Sequence, residues 1–249
     1  MDALSSMANL SGYKAVLVGA DALPRMFPMM MTAAGTVVPA RIFIVGAGVA
    51  GLQAIATARR LGGVVSAYDV RSEVKEQVAS LGARFIEMEL DTSDAGGAGG
   101  YAREMGEEFY TRQQELMGGI LAESDVVITT ASVPGRKAPV LITAEMVERM
   151  TPGSVIVDLA AERGGNCELT RSGQTVEHHG VKILGPANLV STLAHTASQL
   201  YARNIATFLL SMTKDGQFLP DLTDEIVSAT LVTHDGQVPN ESMRRTLGL

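Results

Sequence analysis

The chain has 249 residues, enough for one large or two modest domains, and its 46% hydrophobic and 19% charged content is that of an ordinary globular protein. A net charge of −7 with no basic run argues against nucleic acid or an anionic membrane surface as partner. The one cysteine, Cys167, excludes an internal disulfide framework, fits a reducing compartment and reads as a small buried or loop residue rather than a reactive thiol. No basic segment followed by an apolar core opens the chain, so no signal peptide is expected. The longest uncharged runs, Met26–Ala40 and Ile42–Ala58, are too short to span a membrane. The 13 methionines read as adaptable core filling.

Residues 1–22 lack proline and carry apolar positions at Leu4, Met7, Ala8, Ala15, Val16 and Val18, which predicts a helix, weakened or bent near Gly12. Pro24 and Pro28 end it, and residues 24–40 read as a connector. Apolar runs then recur at 41–45, 63–68, 83–87, 125–129, 154–157 and 181–184, with helical segments between most of them. That alternation predicts an α/β fold of Rossmann type, a doubly wound, mainly parallel sheet with helices on both faces. A closing helix is expected over 195–212. A less regular tail follows, with strands around Ile226–Thr233 beside the turn signal Asp235-Gly236.

The first of those runs carries the chemistry. Arg41–Val45 ends in Gly46-Ala-Gly48-Val-Ala-Gly51, an Ala-rich helical stretch follows, and a second apolar run ends at Asp69, 18 residues beyond the third glycine. A bare GxGxxG is a weak signal, but strand, turn, helix and acid in this order form a dinucleotide-binding unit. Gly46 permits the sharp turn, Gly48 clears the approach to a pyrophosphate, and Gly51 allows helix and strand to pack closely. The pyrophosphate would sit on the free N–H groups of the helix starting near Ala47. Asp69 would accept from the adenosine ribose hydroxyls and repel a 2′-phosphate, which selects NAD(H) over NADP(H). Arg71 works against that selection. The carboxyl ends of the strands place Gly46–Gly51, Asp69, Thr129–Pro134, Asp158–Asn166 and Gly185–Asn188 on one rim.

Residues 91–100, DTSDAGGAGG, fit neither helix nor strand. They read either as a solvated connector or as a lid whose Tyr101 and Met105 fold over a bound nucleotide. His178-His179 lie in a turn and read as solvent-facing rather than catalytic. No HExxH, paired cysteine ligands or Ser/His/Asp set is present, so no metal is expected.

Several segments together carry a family resemblance: MDALSSMA at 1–8, TAAGTVVPARIFIVGAGVAGLQAIATARRLG at 32–62 and YDVRSEVKEQV at 68–78. To these add GGYAREMGEEF at 99–109, ITTASVPGRKAPVLIT at 128–143 and VIVDLAAERGGNCE at 155–168. The chain resembles the soluble NAD(H)-binding component, domain I, of the proton-translocating NAD(P) transhydrogenases, whose alpha subunit shares a fold with alanine dehydrogenase. The resemblance implies direct hydride transfer from NADH to NADP⁺ held on a partner component, coupled to proton movement by a membrane component. It also implies a homodimer, placed peripherally on the cytoplasmic or mitochondrial matrix side of the membrane.

The resemblance assigns Asp2 and Ser5 to the reacting, nicotinamide end. It gives Gly46, Gly48, Val49, Ala50 and Gly51 to the pyrophosphate turn, and Asp69, Val70 and Arg71 to the adenosine ribose. Gly100, Tyr101 and Met105 match the mobile loop, and Gln113 matches a nucleotide-contacting glutamine. Thr130, Ala131 and Ser132 follow the fourth core strand, and Ser132 stands where the family usually has leucine, setting a polar group against an apolar cofactor face.

The resemblance further implies an α/β subdomain before Met1 that this chain lacks. On that reading 1–22 is an interdomain helix, 23–212 the NAD(H)-binding domain and 213–249 a tail that would pack on the absent subdomain. Both ends should then expose apolar surface, and adenine-end binding should survive better than hydride transfer. Two further readings stay open: an alanine-dehydrogenase-like oxidoreductase, and a non-catalytic nucleotide-binding module.

Overall fold

The computed structural model describes residues 1–88, 107–132 and 137–249, without the side chains of Glu107 and Ser242. These residues form two compact units, Leu4–Ala197 and a smaller one of Met1–Ala3 with Ser198–Leu249.

In chain order, the larger unit opens with helix α1 (Ala3–Ala22, its first residue belonging to the smaller unit), an exposed hairpin β1 (Met30–Thr32) and β2 (Gly35–Val37), and strand β3 (Arg41–Val45). Helix α2 (Val49–Arg60), β4 (Val64–Tyr68), α3 (Lys75–Ser80) and β5 (Arg84–Phe85) follow. Next come α4 (Glu107–Ala122), β6 (Val126–Thr129), α5 (Ala144–Glu148) and β7 (Val155–Asp158). The hairpin of β8 (Gln174–His178) and β9 (Val181–Gly185) precedes α6 (Ala194–Ser211), which continues into the smaller unit.

Seven strands make one sheet in the order β5-β4-β3-β6-β7-β9-β8, parallel throughout except for β8 at the edge. The mainly parallel, doubly wound sheet is therefore present. Because both faces are covered, the central strands read as near-continuous apolar runs, Ile42–Val45, Val126–Ile128 and Val155–Val157, rather than alternating. Ile42 and Ile44 of β3 face a core built with Ala15 and Val16 of α1 and Ala54, Ile55 and Ala58 of α2. Phe43 and Val45 face the opposite core, with Met117 and Leu121 of α4 and Met146 and Val147 of α5. Strand order reverses at β3, which has β4 on one side and β6 on the other. The crevice at such a switch point is where open α/β sheets bind ligands.

Three elements differ from the sequence reading. Helix α1 runs unbroken through Gly12, because that glycine is not a weak point but a crossing point: a Cβ there would stand 2.0 Å from the Ala50 carbonyl oxygen. The connector 24–40 contains the β1–β2 hairpin. Ile226–Thr233 is not a strand region: helix α7 (Glu225–Thr230) forms there because the Asp224 side chain caps it, accepting from the Ile226 and Val227 N–H groups at 2.9 and 3.0 Å. Asp235 and Gly236 both take positive φ in a tight turn, as their pairing suggests.

The smaller unit also contains the end of α6, the β10 (Thr213–Lys214) and β11 (Gln217–Phe218) hairpin and helix α8 (Glu241–Leu247). Helix α6 has no buried residue, and its Tyr201, Ile205, Leu209 and Leu210 are exposed. Among the described residues no helix is long and apolar enough to cross a membrane.

Candidate functional site

The glycine turn lies between β3 and α2, at the carboxyl end of the central strand. Its three glycines do three different jobs. Gly46 has φ +98°, and a Cβ there would meet Thr130 Oγ1 at 2.5 Å. Gly51 touches the turn itself: a Cβ would lie 1.8 Å from the Gly46 carbonyl oxygen. At Gly48 the nearest atom to such a Cβ is Arg71 Nη2 at 3.9 Å, so this side of the turn is open. Gly48 is also the N-cap of α2 and offers no side chain to the N–H groups of the first turn. An uncapped helix start on open space is an anion-binding surface. The turn is stapled to β6 and β4: Thr130 N donates to Val45 O at 2.8 Å, Thr130 Oγ1 to Gly46 O at 3.1 Å, and Gly46 N to Tyr68 O at 2.8 Å.

Asp69 follows β4 and is buried, yet its carboxylate is fully engaged. Oδ2 accepts from Ala47 N at 2.7 Å and Arg71 Nη2 at 2.8 Å; Oδ1 accepts from Arg71 N and Nε, both at 2.9 Å. Four donors match the roughly four lone-pair sites of a carboxylate. The Asp69 hydrogen bonds hold the Arg71 guanidinium pKa above its ordinary value. The acid therefore serves first to tie the glycine turn to the end of β4.

Across the crevice, Asp158 binds the last residue of β6 to the loop after β7. This fully buried carboxylate accepts from Thr129 Oγ1, Ala160 N, Asn166 N, Cys167 N and Thr170 Oγ1 at 2.7–3.0 Å. Asn166 reaches back, donating from Nδ2 to the Ala131 and Pro139 carbonyls, both at 2.9 Å. Arg163 Nη1 donates to Ser132 Oγ at 2.8 Å.

The model of the alanine dehydrogenase/PNT C-terminal domain family matches residues 15–241. The chain belongs to that family. Within it, the chain is 55% identical over 246 residues to an NAD(P) transhydrogenase alpha-subunit polypeptide of Rhodospirillum rubrum, a match covering 98% of this chain and 64% of that protein. A transhydrogenase structure from Sinorhizobium meliloti superposes with a TM-score of 0.82 at 52% identity, covering 96% of this chain and 63% of that one. Alanine dehydrogenase of Bacillus subtilis is 27% identical, over 98% of this chain and 61% of that enzyme. The chain thus spans a little under two thirds of the length of these relatives.

The carboxyl ends of β3, β4 and β6 bring together Gly46, Gly48, Val49, Ala50, Gly51, Asp69, Val70, Arg71, Thr130, Ala131 and Ser132. Gln113 is 1% exposed in α4 and lies beside the Tyr68 hydroxyl, at the end of β4. Neither its Oε1 nor the Tyr68 hydroxyl has a hydrogen-bond partner among the described residues. Burial pushes the Tyr68 hydroxyl up to about 12, opposed by the Gln113 amide and reinforced by Asp69. Ser132 Oγ carries the bond from Arg163.

Ser5 is half-buried in the first turns of α1, and its carbonyl accepts from Asn9 Nδ2 at 3.1 Å; Asp2 belongs to the smaller unit. Gly100, Tyr101 and Met105 lie outside the described residues. Cys167 is buried, and burial pushes its thiol up to about 11, which makes it a poor nucleophile. Sequence reasoning placed Asp158 and Arg163 on the rim but not in these roles, and it missed Thr170, which reaches Asp158 from 12 residues further on.

Proposed function

We propose that this chain is the NAD(H)-binding component of a proton-translocating NAD(P) transhydrogenase. It would work against an NADP(H)-binding component and beside a membrane component, as a homodimer peripheral to the membrane. One observation carries the nucleotide assignment: of the three glycines in the turn, only Gly48 has open space where a side chain would stand, directly at the uncapped start of α2. That cradle fits a pyrophosphate. Higher identity to transhydrogenase subunits than to alanine dehydrogenases favours transhydrogenation over amino-acid oxidation.

The nicotinamide supplies the hydride when the cofactor is bound. The chain's own role is to bind and orient, and no nucleophile is required. Gly46–Gly51 would hold the pyrophosphate, and Asp69 the ribose hydroxyls with Val70 and Arg71 beside them. Thr130, Ala131 and Ser132 would form the facing bank of the crevice. Asp2 and Ser5 remain proposed for the reacting end.

Calorimetric titration of the chain with NADH, and with NADPH in parallel, tests this reading. Saturable NADH binding with much weaker NADPH binding is expected. A folded chain that binds neither, or both equally, would overturn it. Addition of the NADP(H)-binding partner then separates hydride transfer from binding alone.

A further inference from the structure

At the end of the sheet opposite the nucleotide crevice, β8 and β9 are joined by the two residues His179 and Gly180, with φ +50° and +75°. This is the geometry of a tight hairpin turn whose first position normally takes asparagine, aspartate or glycine. Here it takes histidine, directly after a second histidine that ends β8. The two imidazoles stand 4.7 Å apart between ring centroids. Glu148, the last residue of α5, faces both: its Oε1 is 3.0 Å from His178 Nε2 and 3.8 Å from His179 Nε2.

We propose that Glu148, His178 and His179 bind one divalent transition-metal ion of the zinc type. The donor atoms of all three lie within 4.8 Å of one another. Around a tetrahedral ion with ligands near 2.0–2.1 Å, donors are separated by about 3.3 Å, and the two carboxylate–imidazole separations bracket that value. Two imidazoles and a carboxylate are a ligand set suited to Zn²⁺, Ni²⁺ or Cu²⁺ rather than to Mg²⁺ or Ca²⁺, which take oxygen ligands. With three protein ligands, a fourth position is left for water.

The ligands are held by structure on both sides. Helix α5 is capped by Thr143, whose Oγ1 accepts from Met146 N at 3.3 Å, and is anchored by the buried Met146 and Val147. The hairpin turn is pinned to the segment after α5: Gly153 N donates to Gly180 O at 2.7 Å, and a Cβ on Gly180 would touch Pro152 Cβ at 3.0 Å. The nearest helix cation, Arg149, is paired with Glu145 one turn back rather than with Glu148. An ion here would clamp the edge hairpin to α5. This inference is independent of the nucleotide reading.

The test is a titration of the full chain, free of any affinity tag, with Zn²⁺ by calorimetry and with Co²⁺ by visible absorption. One equivalent should bind, with the absorption of a low-coordinate Co²⁺ site. His179→Asn preserves the turn and should weaken binding at least about tenfold, the lower end of what losing even an outer-shell partner costs a metal site. Glu148→Gln should weaken it too, while His234→Ala, in the smaller unit, should leave it unchanged. A cooperative thermal unfolding transition at the wild-type temperature serves as the check that the His179→Asn chain folds. The absence of saturable Zn²⁺ binding, or equal binding by wild type and a folded His179→Asn chain, would overturn the proposal.

Discussion

Arg71 grips both carboxylate oxygens of Asp69, with Nε on Oδ1 at 2.9 Å and Nη2 on Oδ2 at 2.8 Å, while Ala47 N holds Oδ2 from the glycine turn. The guanidinium Nη2 also lies 3.9 Å from the point where a Gly48 side chain would begin. A cation thus stands beside the proposed pyrophosphate cradle and masks the acid that would receive the ribose. A ribose hydroxyl can reach Asp69 only by taking a lone pair now given to Arg71 or to Ala47 N. Cofactor preference is therefore set by the pair and not by the acid alone.

Arg71→Ala should widen the preference for NADH over NADPH by about tenfold, or about 1.4 kcal/mol, because it frees the acid and removes a cation from beside a 2′-phosphate. Asp69→Asn should narrow the preference by a similar factor, and it should lower stability because a buried guanidinium loses the Asp69 carboxylate charge. Parallel NADH and NADPH titrations of both variants give the answer. An unchanged ratio in both would show that the pair has no role in selection.

The glycines separate folding from binding. Gly51→Ala drives a methyl into the Gly46 carbonyl, at 1.8 Å, and should destabilise the chain by at least about 1–3 kcal/mol. Gly48→Ala meets nothing closer than 3.9 Å, so its melting temperature should hold within the scatter of ordinary surface changes while NADH affinity falls severalfold. If Gly48→Ala bound NADH as wild type does, the open side of the turn would not be the pyrophosphate site.

Replacing a helical glycine by alanine normally stabilises a helix by up to about 1 kcal/mol. Gly12→Ala should do the reverse. A Cβ there would overlap the Ala50 carbonyl at 2.0 Å, in the first turn of α2, so α1 would be pushed off the helix that carries the nucleotide turn. Thermal unfolding and NADH titration should both register the change. A melting temperature at or above wild type would mean that α1 can shift without cost.

What could be read in advance followed the physics of burial. The parallel core strands are buried on both faces, so they stand out as continuous apolar runs, and GxGxxG with Asp69 marks the crevice between them. Edge strand β8, Gln174-Thr-Val-Glu-His178, carries no such run because little of it is buried. Glu225–Thr230 has the β-branched content of a strand, but the Asp224 cap, a local hydrogen-bond effect, favours the helix. Arg71 was visible as a neighbour of Asp69, but its fork-like grip depends on a backbone bend that sequence spacing does not reveal. Asp158 stood on the rim, but its role was hidden for a different reason. Four of its five donors lie 2–12 residues onward, in a loop whose path has no sequence pattern, and the fifth, Thr129, comes from the neighbouring strand.

Two buried acids of high pKa make the fold sensitive to alkali. Burial pushes the Cys167 thiol from 9.0 to about 11 and the Tyr68 hydroxyl from 10.0 to about 12. In each case the unfolded chain loses its proton at lower pH than the folded chain, so the unfolded state binds fewer protons over that interval and stability falls as pH rises. The decline should begin near pH 9 with the thiol and continue through about 12 with the phenol. A displacement of that size corresponds to up to about 2–3 kcal/mol for each group. Cys167→Ala loses some packing at all pH values, but it should remove the component between pH 9 and 11 and leave the later one in place. Denaturant unfolding across that range, wild type against variant, is the measurement; parallel stability-versus-pH curves would show that the buried thiol does not drive the alkaline loss.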